Sequence, residues 1–327
     1  MTLFRSITKG LAVLAVSVTA SGATEFPDRN IENIYPWGPG TTMAISQIIA
    51  DAMGNELDVS IPVVSTPGAS GVKAFKTALE KPADGYTIFD GYVAPLVLAP
   101  LLGNADWSYK DFTPLYSATS NSFAIIVRPD DNRFPDLPAL FDYMRANPGK
   151  ARYSTGAVNN LPHMVLAKVL QTADVYGTVI PFDESEQAMK DLRGGVFDFI
   201  ITNPGTYKAN KDNVRVLAVL SELEEVVAIY DGAPRVQDYG YDLGMSGLSP
   251  MGWNWWLVRK DTPADVVETL RTAMAAALAR DDVQEKLLNL GYVPTNYGPD
   301  QYDEIVGAVG AELQSGIDAI EWVMSKQ

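Results

Sequence analysis

Short apolar, β-branched runs alternate with helix-period segments along most of this chain, and glycine-bearing turns sit at the junctions. That alternation restricts the fold most, because parallel strands need long crossover connections and helices supply them. "IENIYP" reads as a first strand and residues 42–53 as its helix, with Ile45, Ile48, Ile49 and Ala52 on one face. "DVSIPVVS" is a second strand, followed by the loop "TPGASG" and a helix over about 72–80. "YTIFDG" is a third, running into "GYVAP". "FAIIVRPD" is a further strand, and its Arg128-Pro129-Asp130-Asp131 end reads as a boundary.

A second α/β block follows. Its helices are "LPALFDYMRANPG", "MVLAKVLQ" and "DESEQAMKDLRGG"; its strands are "ARYST", "VYGTVI", "VFDFIITN" and "VRVLAVLS". The Gly- and turn-rich "DYGYDLGMSGLSP", Asp238 to Pro250, reads as a second crossing. "GWNWWLVRKD" is then a strand and the rest is helical, opening on a Thr-Pro cap in "TPADVVETL". The expected division is 1–23 as an export signal, 24–128 plus 248–327 as a first domain and 129–247 as a second. Loops gathered at strand C-termini predict a ligand crevice where the two blocks face each other.

"YPWGPGTTMAISQIIADAMG" places a Gly-Pro-Gly turn between the first strand and its helix. Such junctions hold anions, because free N–H groups at a helix start point outward with the positive end of the helix dipole. The nucleotide versions fail on the letters. A dinucleotide fingerprint needs a third glycine where Met43 stands, and a P-loop needs a lysine, of which none lies between Arg29 and Lys73. A loop that uses glycine only to turn stays open as the plain alternative.

Composition removes several classes of function. The net charge of −15 argues against nucleic acid and anionic membrane surfaces as partners. With no cysteine and one histidine, His163, there is no disulfide, thiolate site or multi-histidine metal site, and no cofactor is expected. The N-terminus, "MTLFRSITKGLAVLAVSVTASGATEF", carries Arg5 and Lys9, then an apolar run from Leu11 to Val18, then small residues. This is the pattern of a secretory signal cleaved after Ala20 or Ala23, the run being half of what a membrane span needs. Removing Arg5 and Lys9 takes the charge from −15 to −17. The expected product is a free, exported, acidic monomer.

The order of segments resembles the periplasmic solute-binding receptors of tripartite tricarboxylate transporters, the Bug-type receptors. The stretches that carry it are "PWGPGTT", "TPGASG", "KPADGYTIFDG", "DFTPLYSATS", "NPGKARYSTG" with "LPH", "AMKDLRGGVFDFI", "VRVLAVLS" and "DTPADVVETL", in the family's order. The resemblance implies a type II periplasmic-binding-protein fold: two α/β domains, two crossing segments and a ligand cleft between them, closing without a reaction. It implies a small carboxylate as ligand, gripped by the first two glycine loops through backbone N–H groups and small hydroxyls, and membrane transporter subunits as partners. Departures fall in those loops. Thr41-Thr42-Met43-Ala44 replaces glycines followed by Thr-Asp, Ser65-Thr66 replaces Asn-Arg, and Phe182-Asp183-Glu184-Ser185 replaces aromatic-Lys-Gly-Gly.

The candidate ligand residues are Trp37, Gly40, Thr41 and Thr42 in the first loop and Thr66, Gly68, Ala69 and Ser70 in the second. Tyr92 ends the third strand; Ser154, Thr155, Asn159 and His163 come from the "STGAVNNLPH" stretch; Phe182, Asp183 and Asn203 follow later strands. The hydroxyls can equally cap helices, with Thr41 and Ser70 well placed for that. His163 can equally brace its loop, and the aromatics, Trp253, Trp255 and Trp256 included, can simply be core. Ala44 offers no acid for an ammonium, Asp183 offers no cation for a second carboxylate, and Trp37 sits beside the anion loop. Together these point to one well-held carboxylate on a planar or apolar body, rather than citrate.

The competing classes are a secreted hydrolase and a receptor read by a membrane sensor. A hydrolase lacks its nucleophile elbow, since "GMSGL" and "GASGV" both fail the spacing. No enzymatic activity is expected.

Overall fold

β1 (Glu32–Tyr35) is flanked by β2 (Val63–Ser65) and β3 (Thr87–Tyr92), all parallel. Between them run α1 (Thr41–Leu57) and α2 (Val72–Glu80), the latter with the bounds read from the sequence. The computed structural model describes residues 26–120, 122–156, 158, 160–182, 185–221, 224–241 and 253–327. The export signal, Asn159, Asp183 and most of the second crossing lie outside the described residues. α1 ends where Asp58 turns left-handed (φ 54°) and returns its N–H to the Gly54 carbonyl. Gly54 is needed there, because a Cβ would stand 2.6 Å from the Val59 oxygen.

After β3 a helical segment ends in α3 (Ala99–Leu101), and β4 (Phe112–Ser117) follows. The chain then enters β5 (Phe123–Val127), α4 (Leu137–Ala146), β6 (Arg152–Ser154), α5 (Leu161–Thr172), β7 (Thr178–Val179) and α6 (Ser185–Arg193). β8 (Phe199–Thr202), α7 (Pro204–Asn210), β9 (Arg215–Leu220) and α8 (Glu224–Ile229) complete that block. The return passes through β10 (Asn254–Arg259), α9 (Ala264–Leu278), α10 (Asp281–Asn289) and α11 (Tyr302–Met324).

Two five-stranded sheets result, ordered β2-β1-β3-β10-β4 and β7-β6-β8-β5-β9. In each, the first strand after a crossing inserts antiparallel beside the third parallel strand. This repeated order is the two-domain type II periplasmic-binding-protein fold, with its cleft between the domains.

Four sequence expectations change. β5, read as the end of the first block, pairs with β8 and β9 in the second sheet. Its Arg128–Asp131 end is no loose boundary: Asp131 bonds Arg128 (2.8 Å) and Arg133 (2.7 Å), and Arg133 reaches Asp198 (2.9 Å). α11, read wholly with the first block, starts with Tyr302 on the Trp255 ring (4.9 Å) and packs along α5. There Gly316 admits the Met164 side chain where a Cβ would clash, and Gln327 bonds the Gly177 carbonyl (2.8 Å). The Thr-Pro cap of α9 is Pro263 alone, without a side-chain bond.

Trp253, Trp255 and Trp256 are fully buried, as their core reading has it. Three segments are laced together between the sheets. Thr119 donates from its N–H and hydroxyl to Asn254 Oδ1 (both 3.1 Å), Ser120 N–H bonds the Val293 carbonyl (2.8 Å), and the Ser117 and Thr295 hydroxyls pair (2.8 Å).

Candidate functional site

The start of α1 meets the start of α7. Gly205 lies against Thr41 so closely that a Cβ there would clash with the Thr41 side chain. Beside that contact the Tyr292 hydroxyl links Thr42 Oγ1 (3.3 Å) and Asn203 Oδ1 (3.4 Å), one from each half. Lys208 adds a second tie, donating to the Leu288 and Asn289 carbonyls (2.9 and 3.1 Å) at the C-terminus of α10. A cation suits that position, because a helix C-terminus carries the negative end of the dipole.

The first loop leaves its donors open. α1 begins at Gly40 with no side-chain cap, and its first internal bond is Ala44 N–H to the Gly40 carbonyl, 3.2 Å. The N–H groups of Thr41 to Met43 therefore have no partner within the helix. Gly40 is extended (φ 167°), and a Cβ on it would meet nothing within 4 Å. Thr41 is thus the first helical residue, so the capping alternative falls, and its side chain serves the contact between halves.

The second loop is unusual in its backbone. Gly68, Ala69, Ser70 and Gly71 have φ of 143°, 48°, 52° and 90°. Two non-glycine residues held left-handed cost of order 1 kcal/mol each. Successive N–H groups in such a turn form an anion-binding concavity. The N–H groups of Gly71, Val72 and Lys73 return to the Gly68 and Ala69 carbonyls, which leaves those of Ala69 and Ser70 as the loop's candidate donors. Gly71 cannot change, since a Cβ would sit 2.9 Å from Pro95 and 3.2 Å from Pro36. Ser70 does not cap α2, whose start at Gly71 has no side-chain cap. Thr66 spends its hydroxyl hydrogen on the Val64 carbonyl (3.3 Å), so it is no donor in this state.

Aromatic rings floor this region. Tyr92 packs edge-on against Tyr35 (6.2 Å) and the half-buried Trp37 (5.9 Å). Burial, with Asp90 beside them, pushes the Tyr35 and Tyr92 hydroxyls well above the usual phenol range. Burial likewise takes Tyr292 up to about 12, against the pull of the Thr42 hydroxyl and the Gly205 backbone. All three remain neutral hydrogen-bonding groups at ordinary pH.

The second half is furnished differently. Asn160 accepts from His163 N–H (2.9 Å) and caps α5; Asn203 accepts from Thr206 N–H (2.9 Å) and caps α7. Ser154 accepts from Gly156 N–H (3.3 Å), and the Thr155 hydroxyl is buried without a hydrogen-bond partner. Burial pushes the His163 imidazole down to about 4, so it is neutral at physiological pH. Phe182 stands edge-on to Phe197 (5.5 Å) and packs on the second-half core.

Tyr292 and Asp90 were not among the residues singled out. Nothing local marks Tyr292, whose partners lie far away in the chain. Asp90 had a legible signal: it is an acid inside the otherwise apolar strand "YTIFDG".

The tripartite tricarboxylate transporter family receptor model matches residues 45–319. A UPF0065 protein from the tcbD-tcbE intergenic region of Pseudomonas sp. strain P51 is 29% identical over 301 residues, covering 89% of this chain and 86% of its own. Two solved structures share the fold. One is R. palustris Rpa4515 with adipate (TM-score 0.79, 22% identity, 91% of this chain and 99% of that one). The other is MatC from Rhodopseudomonas palustris with bound malate (0.74, 21%, 90% and 100%). A match of that extent, over a fold with this strand order, settles the classification: the chain belongs to the tripartite tricarboxylate transporter receptor family.

Proposed function

We propose that the protein is a periplasmic solute receptor that captures a small carboxylate between its two halves and delivers it to a membrane transporter. The observation that carries this reading is the uncapped start of α1 beside the left-handed second loop. Together they offer backbone donors and the positive end of a 17-residue helix to an anion, with no acid in the first turn. The donors belong to Thr41, Thr42 and Met43 and to Ala69 and Ser70, with Gly40 and Gly68 leaving room. Trp37 and Tyr92 form the apolar wall, and Asn203 faces from the second half through its bond to Tyr292. Adipate and malate in the two related structures fit the same ligand class. Export by the N-terminal signal puts the receptor where such solutes arrive, and the halves part and close about the laced segments around Thr119 and Asn254.

The rings of Trp37 and Tyr92 beside the anion loop favour a second reading of the ligand body, as an aromatic acid rather than an aliphatic diacid. Calorimetric titration with adipate, malate, an aromatic monocarboxylate, terephthalate and citrate separates these. Binding of any of them stabilises the fold by about 2.7 kcal/mol at a hundredfold excess over Kd. The expected result is micromolar or tighter binding of a mono- or dicarboxylate with citrate weak. Tight citrate with no response to the others overturns the ligand class, and silence from a broad carboxylate panel overturns the receptor reading.

A further inference from the structure

Asp90 is fully buried in the first half, on β3 two residues before Tyr92. Its Oδ2 accepts from Ser46 Oγ at 2.6 Å. Ser46 lies one helical turn beyond Thr42 on the same face of α1, about 6 Å along the axis. Asp90 thus touches the helix whose N-terminus is the proposed anion site. The groups acting on it come from the packed elements: Asn33 and Tyr35 from β1, Ser46 from α1, Tyr92 from β3 and Asn254 from β10, with Tyr292 after α10 acting in turn on Tyr35 and Tyr92. None of them is a cation. Asn33 and Asn254 turn side-chain amides toward Asp90, and at strict hydrogen-bond geometry Asn33 Oδ1 and Nδ2, Asp90 Oδ1 and Asn254 Nδ2 are left without a bond of their own. The site is therefore equipped for either protonation state of the carboxyl. Asn254 in turn is bonded to Thr119 in the laced segments between the sheets.

We infer that Asp90 is a positioning residue for the carboxylate site, holding the start of α1 through Ser46 and taking up a proton when an anion seats there. The inference rests on the receptor reading above. A buried carboxylate bonded to α1 and an anion at the start of the same helix are like charges in a poorly polarisable interior, and they repel. An incoming carboxylate therefore favours neutral Asp90, and by reciprocity neutral Asp90 favours the carboxylate. Burial, opposed by the Ser46, Asn33 and Asn254 side chains that favour the charged form, already brings Asp90 up to about 7. No imidazole competes in that window, because the sole histidine is pushed down to about 4.

Two measurements on the whole protein test this. Carboxyl-carbon NMR follows the Asp90 titration without ligand. Calorimetry with adipate and with malate at pH 6.5, 7.5 and 8.5, in two buffers of different ionisation enthalpy, counts protons taken up. The expected midpoint is near 7, rising when the probe is bound. Affinity should fall up to tenfold per pH unit above the midpoint. Asp90→Asn should bind with no pH slope and no proton uptake. A midpoint below 5, or the same slope in Asp90→Asn, overturns the inference. If Asp90→Asn does not fold, Ser46→Ala takes its place: losing the donor to Oδ2 raises the midpoint, and the pH at which affinity falls must move with it. If neither probe binds while Asp90 titrates near 7, the dicarboxylate reading falls and the coupling with it, whereas binding without proton uptake overturns the coupling alone.

Discussion

The two halves share a strand order but treat their helix starts in opposite ways. In the first, α1 and α2 begin at glycines with no side-chain cap. In the second, α5 and α7 begin at Asn160 and Asn203, whose side chains satisfy the helices' own N–H groups. A buried polar group without a partner costs free energy, so a half that leaves donors open is stable only if water or a ligand meets them. These two helix starts of the second half are met by its own side chains, whereas those of the first leave donors for water or a ligand to meet. The same asymmetry reaches the buried titratable groups. Asp90 lies in the first half with its pKa raised, and His163 in the second with its pKa lowered, each mainly by burial.

The largest expected effect breaks the comparison by pH. Asp90 at about 7, against 3.8 unfolded, contributes stability that is full below pH 4 and lost as pH rises through 7, about 4 kcal/mol in all. His163 at about 4, against 6.5 unfolded, contributes stability present above 6.5 and lost as pH falls through 4, about 3 kcal/mol. Denaturant unfolding between pH 4 and 7.5 should therefore tilt oppositely in the two variants. Without the aspartate, Asp90→Asn loses the gain on acidification; without the histidine, His163→Gln loses the fall. Parallel curves would show that the two burials do not differ in sign.

Gly40→Asp comes next. It places a carboxylate at the open start of α1, in space where a Cβ meets nothing. The helix should gain a few tenths of a kcal/mol, the difference between glycine and aspartate at an N-cap, while adipate or malate affinity drops at least a hundredfold. A gain in melting temperature with binding intact would move the anion away from α1. Gly205→Ala sharpens the comparison at the contact between halves, where the new Cβ meets Thr41. Affinity should fall about tenfold with little change in stability, and Thr41→Gly in the same chain should recover part of it. The smallest effect is Asn160→Ala, which removes a cap in the second half at about 1 kcal/mol. Carboxylate affinity should hardly change; a large loss would give the second half a direct grip on the anion.

Much of the fold was legible because apolar period and turn chemistry are local. α2 was read to its ends, and the glycine loops were placed at strand C-termini because those residue types do the turning. β5 was assigned to the wrong sheet for a nonlocal reason. An apolar strand carries no mark of the neighbour it will pair with, and pairing is decided by where the crossing delivers it. At the site, the sequence by itself determined the glycine before α1 and the acid within β3, whereas the structure decided that Thr41 and Ser70, both able to cap, leave their helix starts open. Only the tertiary structure decided that Thr42 would face Tyr292, that Gly205 would press on Thr41, and that Asp90 would be sealed from water with Ser46 as its bonded partner. Hydrogen bonds and burial depend on distance in space, and these partners meet only after both sheets have formed and their helix starts have been brought together.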